Sequence, residues 1–439
     1  MASPPKGAAL GHMAQSRDEA GRSSGGSNPA WLTNPDLQRE RLKVQVAIII
    51  ERLDGAAEHT ADDGALDYLY HEGRILVRDA DLPRVQALVG GAAIDGLING
   101  VTVFEPDGGD TQAALRQIDA ELGVGVATPD HVFYVTPAAC CPATEPETVG
   151  QDNPDPDVRR DPCCDGSGSF VSVVDTGFIP SLEDAQHSWL NGVTGDEETY
   201  NTAEIGPYVG HGTFVAGVVR CLAPASQVRV EGFLTHGGAI FESEIVRQLN
   251  QALDDMPDVI SMSAGCTTRD NLPPVAFQVL WEQRLRHCKG TVLVAAAGND
   301  ADRRAFWPAA SEWTVSVGAL DRHGRRAGFS NFGSWVDVYA LGVDVVNAYP
   351  NGTFHYREPP RVGDTAQFTN GMASWSGTSF ATPVVAGMIA ARMSRTGQSG
   401  RAAANSVLRI ARSHAKAGVG AVAAPGMACD RDPGGACCD

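Results

Sequence analysis

The sequence has no apolar run long enough to cross a membrane; Val46–Ile50, for one, is short and has charged flanks. It has no Lys/Arg cluster, and the formal net charge is −19, so a phosphate-backbone partner is not expected. An acidic surface of this kind serves solubility first. Residues Met1–Ser27 are Gly/Ser/Ala-rich without the apolar core of a secretory signal, and read as a disordered segment. A cytoplasmic location is the expectation, with export by a route the sequence does not show left open. No CxxC occurs, so cysteine spacing points to no metal.

Against these absences stand 439 residues, 43% hydrophobic and 20% charged, the profile of a globular chain with a sizeable core and about two or three domains. Ten cysteines include the adjacent pairs Cys140-Cys141, Cys163-Cys164 and Cys437-Cys438. Neighbouring cysteines bridge each other only with strain. Bridges between the pairs would fasten linker and tail to the body; free thiols in a reducing compartment are the favoured reading.

Taken in order, residues 1–35 are low complexity. Asn34-Pro35-Asp36 opens a helix over Leu37–Val44, and Val46–Ile50 reads as a strand, though so short a run also fits a helix. A strand at Gly73–Arg78, a helix at Asp79–Val89, a strand at Gly100–Phe104, a helix at Thr111–Leu122 and a strand at His131–Val135 follow. This alternation over 36–137 predicts a small α/β unit with two helices on one sheet face. Residues 138–167, rich in Pro, Asp, Glu and Gly, read as an exposed linker.

From 168 to 415 the pattern changes. Phe170–Val174, Val228–Gly232, Val259–Met262, Thr291–Ala296 and Thr314–Val317 are short strands of apolar type. Helical stretches at Gly212–Leu222, Glu242–Leu253, Val275–Cys288, Thr382–Met393 and Arg401–Arg412 separate or follow them. Such strands predict an α/β fold with a parallel sheet covered by helices on both faces, and functional residues at strand carboxyl ends. Residues 416–439 read as a flexible, cysteine-containing tail.

Three stretches carry chemistry. Val173-Val174-Asp175-Thr176-Gly177 puts a carboxylate at a strand end. Gly210-His211-Gly212-Thr213 puts a histidine at the start of a small-residue helix. Gly377-Thr378-Ser379-Phe380-Ala381-Thr382-Pro383 puts a hydroxyl before an apolar helix. Singly these read as a turn residue, a satisfied histidine and an N-cap. Together they form a nucleophile, a base and a carboxylate that orients the base. The order excludes an α/β-hydrolase, which needs its acid and then its histidine after the serine.

These motifs resemble the subtilisin-like serine peptidase family (peptidase S8, subtilases), whose triad runs Asp, His, Ser along the chain. The resemblance covers about residues 169–413 and implies a subtilisin-like three-layer fold and a serine endopeptidase acting on proteins or peptides. By motif it assigns Asp175 as orienting acid, His211 as base and Ser379 as nucleophile. Ala295-Ala296-Ala297-Gly298-Asn299-Asp300 matches the stretch whose asparagine donates to the oxyanion, which implicates Asn299. Ile260-Ser261-Met262-Ser263-Ala264-Gly265 resembles the substrate-binding strand. Ser263, Ala264 and Gly265 would line the site, and Ala296, Ala297 and Gly298 would wall a pocket with room for a large apolar side chain. Cys266 after this strand reads as a small core residue. The helix after His211 runs to Leu222 without the Asn/Gly-rich calcium loop of many relatives, so neither cofactor nor metal is expected. Asp196-Glu197-Glu198 and Asp254-Asp255 read as solvated surface. The 36–137 unit (ferredoxin-like in its element order) resembles the family's inhibitory prosegment, with the linker as the place of cleavage; an interaction domain that stays attached is the other reading. A monomer without membrane or nucleic-acid partners is expected. The rival function is a catalytically silent pseudo-peptidase that binds proteins.

Overall fold

The structure is a computed structural model that describes residues 35–135, 145–150 and 156–429. The expected disordered segment before Pro35 and the pairs Cys140-Cys141 and Cys437-Cys438 lie outside these residues, as does much of the expected cleavage region.

The N-terminal unit opens with α1 (Pro35–Arg52), followed by β1 (Ala56–Thr60), β2 (Leu66–Arg78), α2 (Leu82–Val89), β3 (Ala92–Ile98), β4 (Val101–Glu105), α3 (Thr111–Leu122) and β5 (Ala127–Val135). The run Val46–Ile50 is therefore helix, not strand. Val46, Ile49 and Leu53 are buried, and Leu42 packs against the same cluster. That spacing is a helical stripe. Inside five consecutive apolar residues the two periods cannot be told apart, and the flanking leucines decide. The sheet is antiparallel in the order β5-β2-β4-β3. Helices α2 and α3 lie on one face over Ile75, Val77, Phe104, Val85, Leu115 and Ile118. Asp110 caps α3 by accepting from the Ala113 amide at 2.8 Å.

After the two-residue strand β6 (Glu147–Thr148) come β7 (Phe170–Asp175), β8 (Thr194–Gly195), α4 (His211–Leu222), β9 (Gln227–Gly232), β10 (Ala239–Phe241), α5 (Glu242–Ala252), β11 (Val259–Met262), β12 (Ala264–Gly265), α6 (Val275–Gln283), β13 (Val292–Ala296), β14 (Thr314–Leu320) and β15 (Val338–Leu341). Four short strands follow, β16 (Val345–Ala348), β17 (Gly352–His355), β18 (Thr365–Phe368) and β19 (Met372–Trp375), and then α7 (Thr378–Thr396) and α8 (Gly400–Ser413). The central sheet is parallel, in the order β15-β14-β13-β11-β7-β9-β8. Residues on both of its faces are buried, as a parallel sheet between helix layers requires.

Helices α4 and α7 cross closely, and glycine permits it. A Cβ on Gly387 would lie 2.7 Å from the Leu222 Cβ and 3.0 Å from the Val219 carbonyl oxygen. Helix α7 also starts earlier than the sequence pattern indicates: Ser379 belongs to its first turn, and Pro383 lies within it.

The two domains share a seam. Strand β5 is flanked by β10 and β12, so the N-terminal sheet continues into the second domain. Asp130 on β5 accepts from the Ser243 amide at 2.9 Å and its hydroxyl at 2.7 Å, capping α5. Glu242 accepts from the Ala276 amide at 2.7 Å, capping α6. Arg78 pairs with Glu282 of α6 at 2.8 Å.

Linker and tail are more built-in than the sequence suggests. Strand β6 pairs with β19, and Glu145 is buried, accepting from the Arg357 amide at 2.6 Å. A disulfide joins Cys164 to Cys429, which overturns the free-thiol reading for these two residues. The segment before Cys429 lies along Tyr339, which donates to the Ala421 carbonyl and accepts from the Ala423 amide, so 416–429 is not a free tail.

Candidate active site

Asp175 ends β7 and is fully buried. Its Oδ1 accepts from the Thr176 amide at 2.8 Å and from His211 Nδ1 at 2.6 Å. That bond fixes the imidazole tautomer, with the proton on Nδ1 and Nε2 left as the basic nitrogen. His211 is the first residue of α4, entered through Gly210 at φ 81°. The rings of Trp375 and Phe380 pack against the imidazole at 5.2 and 5.1 Å between centroids. They wall it from water, and Phe380 is the residue after Ser379.

Ser379 sits in the first turn of α7, after the extended Gly377. Its carbonyl oxygen would be matched in a regular helix by the amide of residue 383. Pro383 has none, and the Ser263 hydroxyl donates to that carbonyl instead, at 3.0 Å. Ser379 Oγ in turn lies 3.5 Å from the Ser263 carbonyl oxygen. The Ser263 side chain thus braces the serine.

Asn299 follows β13 and is fully buried. Its Oδ1 accepts from both the amide and the hydroxyl of Thr378, each at 2.9 Å. Because an amide N–H can only donate, this assigns the oxygen end of Asn299 and makes Nδ2 the donor end beside the Ser379 turn. Thr378 Oγ1 also accepts from the Gly298 amide at 3.2 Å, locking the two loops together. Thr378 lies inside the serine motif, but its part in orienting Asn299 has no sequence signal. Ala296, Ala297 and Gly298 are buried beside Asn299, and Asn331 Nδ2 donates to the Ala297 carbonyl at 2.9 Å.

Ala264 and Gly265 form β12, paired antiparallel with β5: Ala264 opposite Val135 and Gly265 opposite Tyr134. Any side chain on Gly265 would meet Phe306 and the Trp307 carbonyl within 2.5 Å. Cys266 exchanges backbone bonds with Trp307 at 2.9 Å and is fully buried; burial holds its thiol well above the usual range, so it is a core residue. Val135 donates to the Gly238 carbonyl at 2.7 Å on the other side. An extended stretch of the chain itself thus occupies the slot between β10 and β12, one residue from Ser263.

The architecture and this constellation agree with comparisons against known proteins. A model of the subtilase family matches residues 166–417. The chain belongs to the subtilase family. Among curated subtilases it is 28% identical over 292 residues to a thermophilic serine proteinase from Bacillus sp. (strain AK1), covering 64% of this chain and 66% of that one. It is 29% identical to thermitase from Thermoactinomyces vulgaris over 254 residues, which are 55% of this chain and 79% of thermitase. It is 31% identical to subtilisin from Bacillus pumilus over 246 residues, 52% of this chain and 78% of that one. Among solved structures, fervidolysin from Fervidobacterium pennivorans, a keratinolytic subtilisin relative, superposes with a TM-score of 0.54 at 17% identity, over 84% of this chain and 62% of fervidolysin. The chain therefore spans just under two thirds of the length of the Bacillus sp. proteinase and of fervidolysin. Within this subtilase, Asp175, His211, Ser379 and Asn299 come from four separate elements and meet at the carboxyl end of the parallel sheet.

Helix α4 is unbroken from His211 to Leu222, with Val215, Val218 and Val219 buried along it. Among the described residues, Asp161, Cys164 and Cys429 bring three potential metal-ligating side chains together, and the two cysteines are already joined to each other.

Proposed function

We propose that the chain is a serine endopeptidase whose N-terminal domain occupies its own substrate slot. Ser379 Oγ attacks the carbonyl carbon of a bound peptide while His211 Nε2 takes its proton. The Asn299 amide and the Ser379 backbone N–H hold the developing oxyanion. His211 then returns the proton to the departing amine, leaving an acyl-serine. Water, deprotonated by the same histidine, releases the acid and restores Ser379. Asp175 stays ionised throughout and stabilises the imidazolium. The observation that carries this reading is the pairing of β5 with β12: a peptide-like strand lies in antiparallel register beside the residue that touches Ser379. Main-chain pairing of this kind is how an extended substrate is gripped.

The same pairing supports an inhibitory, prosegment-like role for residues 36–137, with self-cleavage in the 138–167 linker. We propose that no calcium is needed at α4, and EDTA should leave activity unchanged. No helix among the described residues is long and apolar enough to cross a membrane. The Cys164–Cys429 bridge favours an oxidising compartment over the expected cytoplasmic one.

The test is a fluorophosphonate probe and intact mass on the full chain beside Ser379→Ala. Labelling at Ser379, and loss of the N-terminal domain in the wild type alone, are the expected results. A wild type that neither labels nor cuts a peptide pool, before or after limited digestion of the linker, leaves the pseudo-peptidase reading.

A further inference from the structure

Glu198 lies in an acidic run and is set apart from its neighbours. Asp196 and Glu197 are exposed, whereas Glu198 is half-buried and turned toward the triad. Its amide donates to the Phe178 carbonyl at 2.7 Å, which fastens the segment to the chain just past Asp175. Its Oε2 accepts two hydrogen bonds: from the Gly210 amide at 2.9 Å and from the Thr176 hydroxyl at 3.2 Å. Gly210 is the residue before His211, and Thr176 is the residue after Asp175. Thr176 Oγ1 also accepts from the Gly212 amide at 3.1 Å, on the other side of the histidine.

One carboxyl oxygen therefore bridges the two segments that carry the acid and the base. We propose that Glu198 is a positioning residue of the triad, holding the start of α4 against the end of β7 so that His211 and Asp175 keep their 2.6 Å bond. The local backbone needs such a tie. Gly210 has φ 81°, and Gly212 packs so tightly on Gly177 that a Cβ would lie 2.4 Å from the Gly177 carbonyl oxygen. The turn's own backbone bonds, from the His211 amide to the Tyr208 carbonyl at 3.0 Å and from the Phe214 amide to the Gly210 carbonyl at 2.9 Å, do not reach β7; Glu198 supplies the tie across to it. Burial, with the Asp175 carboxylate adding to it, pushes the Glu198 carboxyl up to about 8, so near neutrality it carries a proton and still offers Oε2 as acceptor. A glutamine reproduces that neutral, accepting group; an alanine does not.

The inference rests on the peptidase reading for its kinetic arm, and a spectroscopic arm stands apart from it. In the full-length chain we would follow the low-field proton resonance of His211 Nδ1–H, identified by its loss in His211→Ala, and kcat per probe-titrated site. Glu198→Ala is expected to shift or broaden the resonance and to lower kcat about 10- to 100-fold, the scale of a sub-ångström to ångström misplacement, with KM within about twofold. Glu198→Gln is expected to restore both. An unchanged resonance and kcat in Glu198→Ala would overturn the proposal, as would a Glu198→Gln variant equally impaired. If Glu198→Ala does not fold, Thr176→Val, which removes the hydroxyl that joins Glu198 to the Gly212 amide, carries the same two readouts, and a wild-type resonance and kcat in it would overturn the proposal. A wild type that shows the resonance but neither labels nor cuts peptides, before or after limited digestion of the linker, sinks the peptidase reading, while the resonance still decides on Glu198.

Discussion

At the residue scale, Asn299 has its carbonyl end held twice by Thr378, so its donor end is aimed before any substrate arrives. On the proposed mechanism, replacing it by alanine removes one oxyanion donor and leaves Asp175, His211 and Ser379 in place. We expect kcat to fall about 10²- to 10³-fold with little change in KM, the range known for subtilisin's own oxyanion asparagine; steady-state kinetics on a peptide substrate checks this. Thr378→Val should mimic part of that loss by freeing the amide to turn. The motifs around Asp175, His211, Ser379 and Asn299 stand out in the sequence because each carries glycines that a tight turn requires. Glu198 does not. Its run reads as solvated surface, and only the fold of 195–198 over Phe178 turns one of three acids inward. Ser263 was legible as a position but not as a brace, because its partner is created by the missing amide of Pro383.

At the element scale, the site depends on how closely α4 and α7 approach. Gly387→Ala places a methyl against Leu222 and Val219 and should cost about 1–3 kcal/mol by overpacking, read as a lower Tm in thermal unfolding. It should also reduce activity, since both helices carry triad residues at their N-termini. Strand β5 is the other decisive element. Phe133 stacks on Phe277 of α6 at 4.8 Å, and Tyr134 meets Phe306 edge-on at 6.2 Å. A free peptide spanning Val132–Val135 should therefore compete for the slot once the N-terminal domain is removed. A peptide with both aromatics changed to alanine should compete markedly less, as measured by inhibition of peptide hydrolysis. The helices and central strands were readable because each buries a stripe or two faces. Strand β3 and the extent of β2 were not, since their pairing lies across the sheet.

At the scale of the whole molecule, the seam between domains holds three buried titratable groups. Burial pushes Asp130 up to about 7 and Glu242 up to about 8, and pulls His131 down to about 3. His131 Nε2 accepts from the Arg269 amide at 3.2 Å, so Nδ1 carries the proton facing Glu242 at 3.1 Å. The carboxyls are raised, so their contribution to the seam is fully present below the ordinary carboxyl range and is lost as pH rises through about 7 and 8. The histidine is lowered, so its contribution is present above the ordinary imidazole range and is lost on acidification. Hydrogen exchange at β5 in the Ser379→Ala chain should show protection falling as pH rises toward about 8 and levelling off above it, after correction for the intrinsic rate. Asp130→Asn and Glu242→Gln should flatten that fall; a flat wild-type profile would count against a pH-sensitive seam. The Cys164–Cys429 bridge ties the linker to the carboxyl-terminal segment across 265 residues. Its removal in Cys164→Ser should lower stability by about 2–5 kcal/mol. Thermal unfolding with and without reductant tests this, and equal Tm values would show that the bridge does not contribute.

Short-range physics is written in the chain: turn glycines around Asp175, His211 and Ser379, apolar runs of strand length, and helical stripes such as those of α3 and α4. From these the α/β class, the parallel sheet and the order of the three motifs follow without coordinates. Long-range partners are not written there. Which period a five-residue apolar run obeys, which acid of three turns inward, which cysteine meets Cys164 and which strand lies along β12 depend on surfaces far apart in sequence. Those surfaces come into register only when the two sheets and their helices close around a common core.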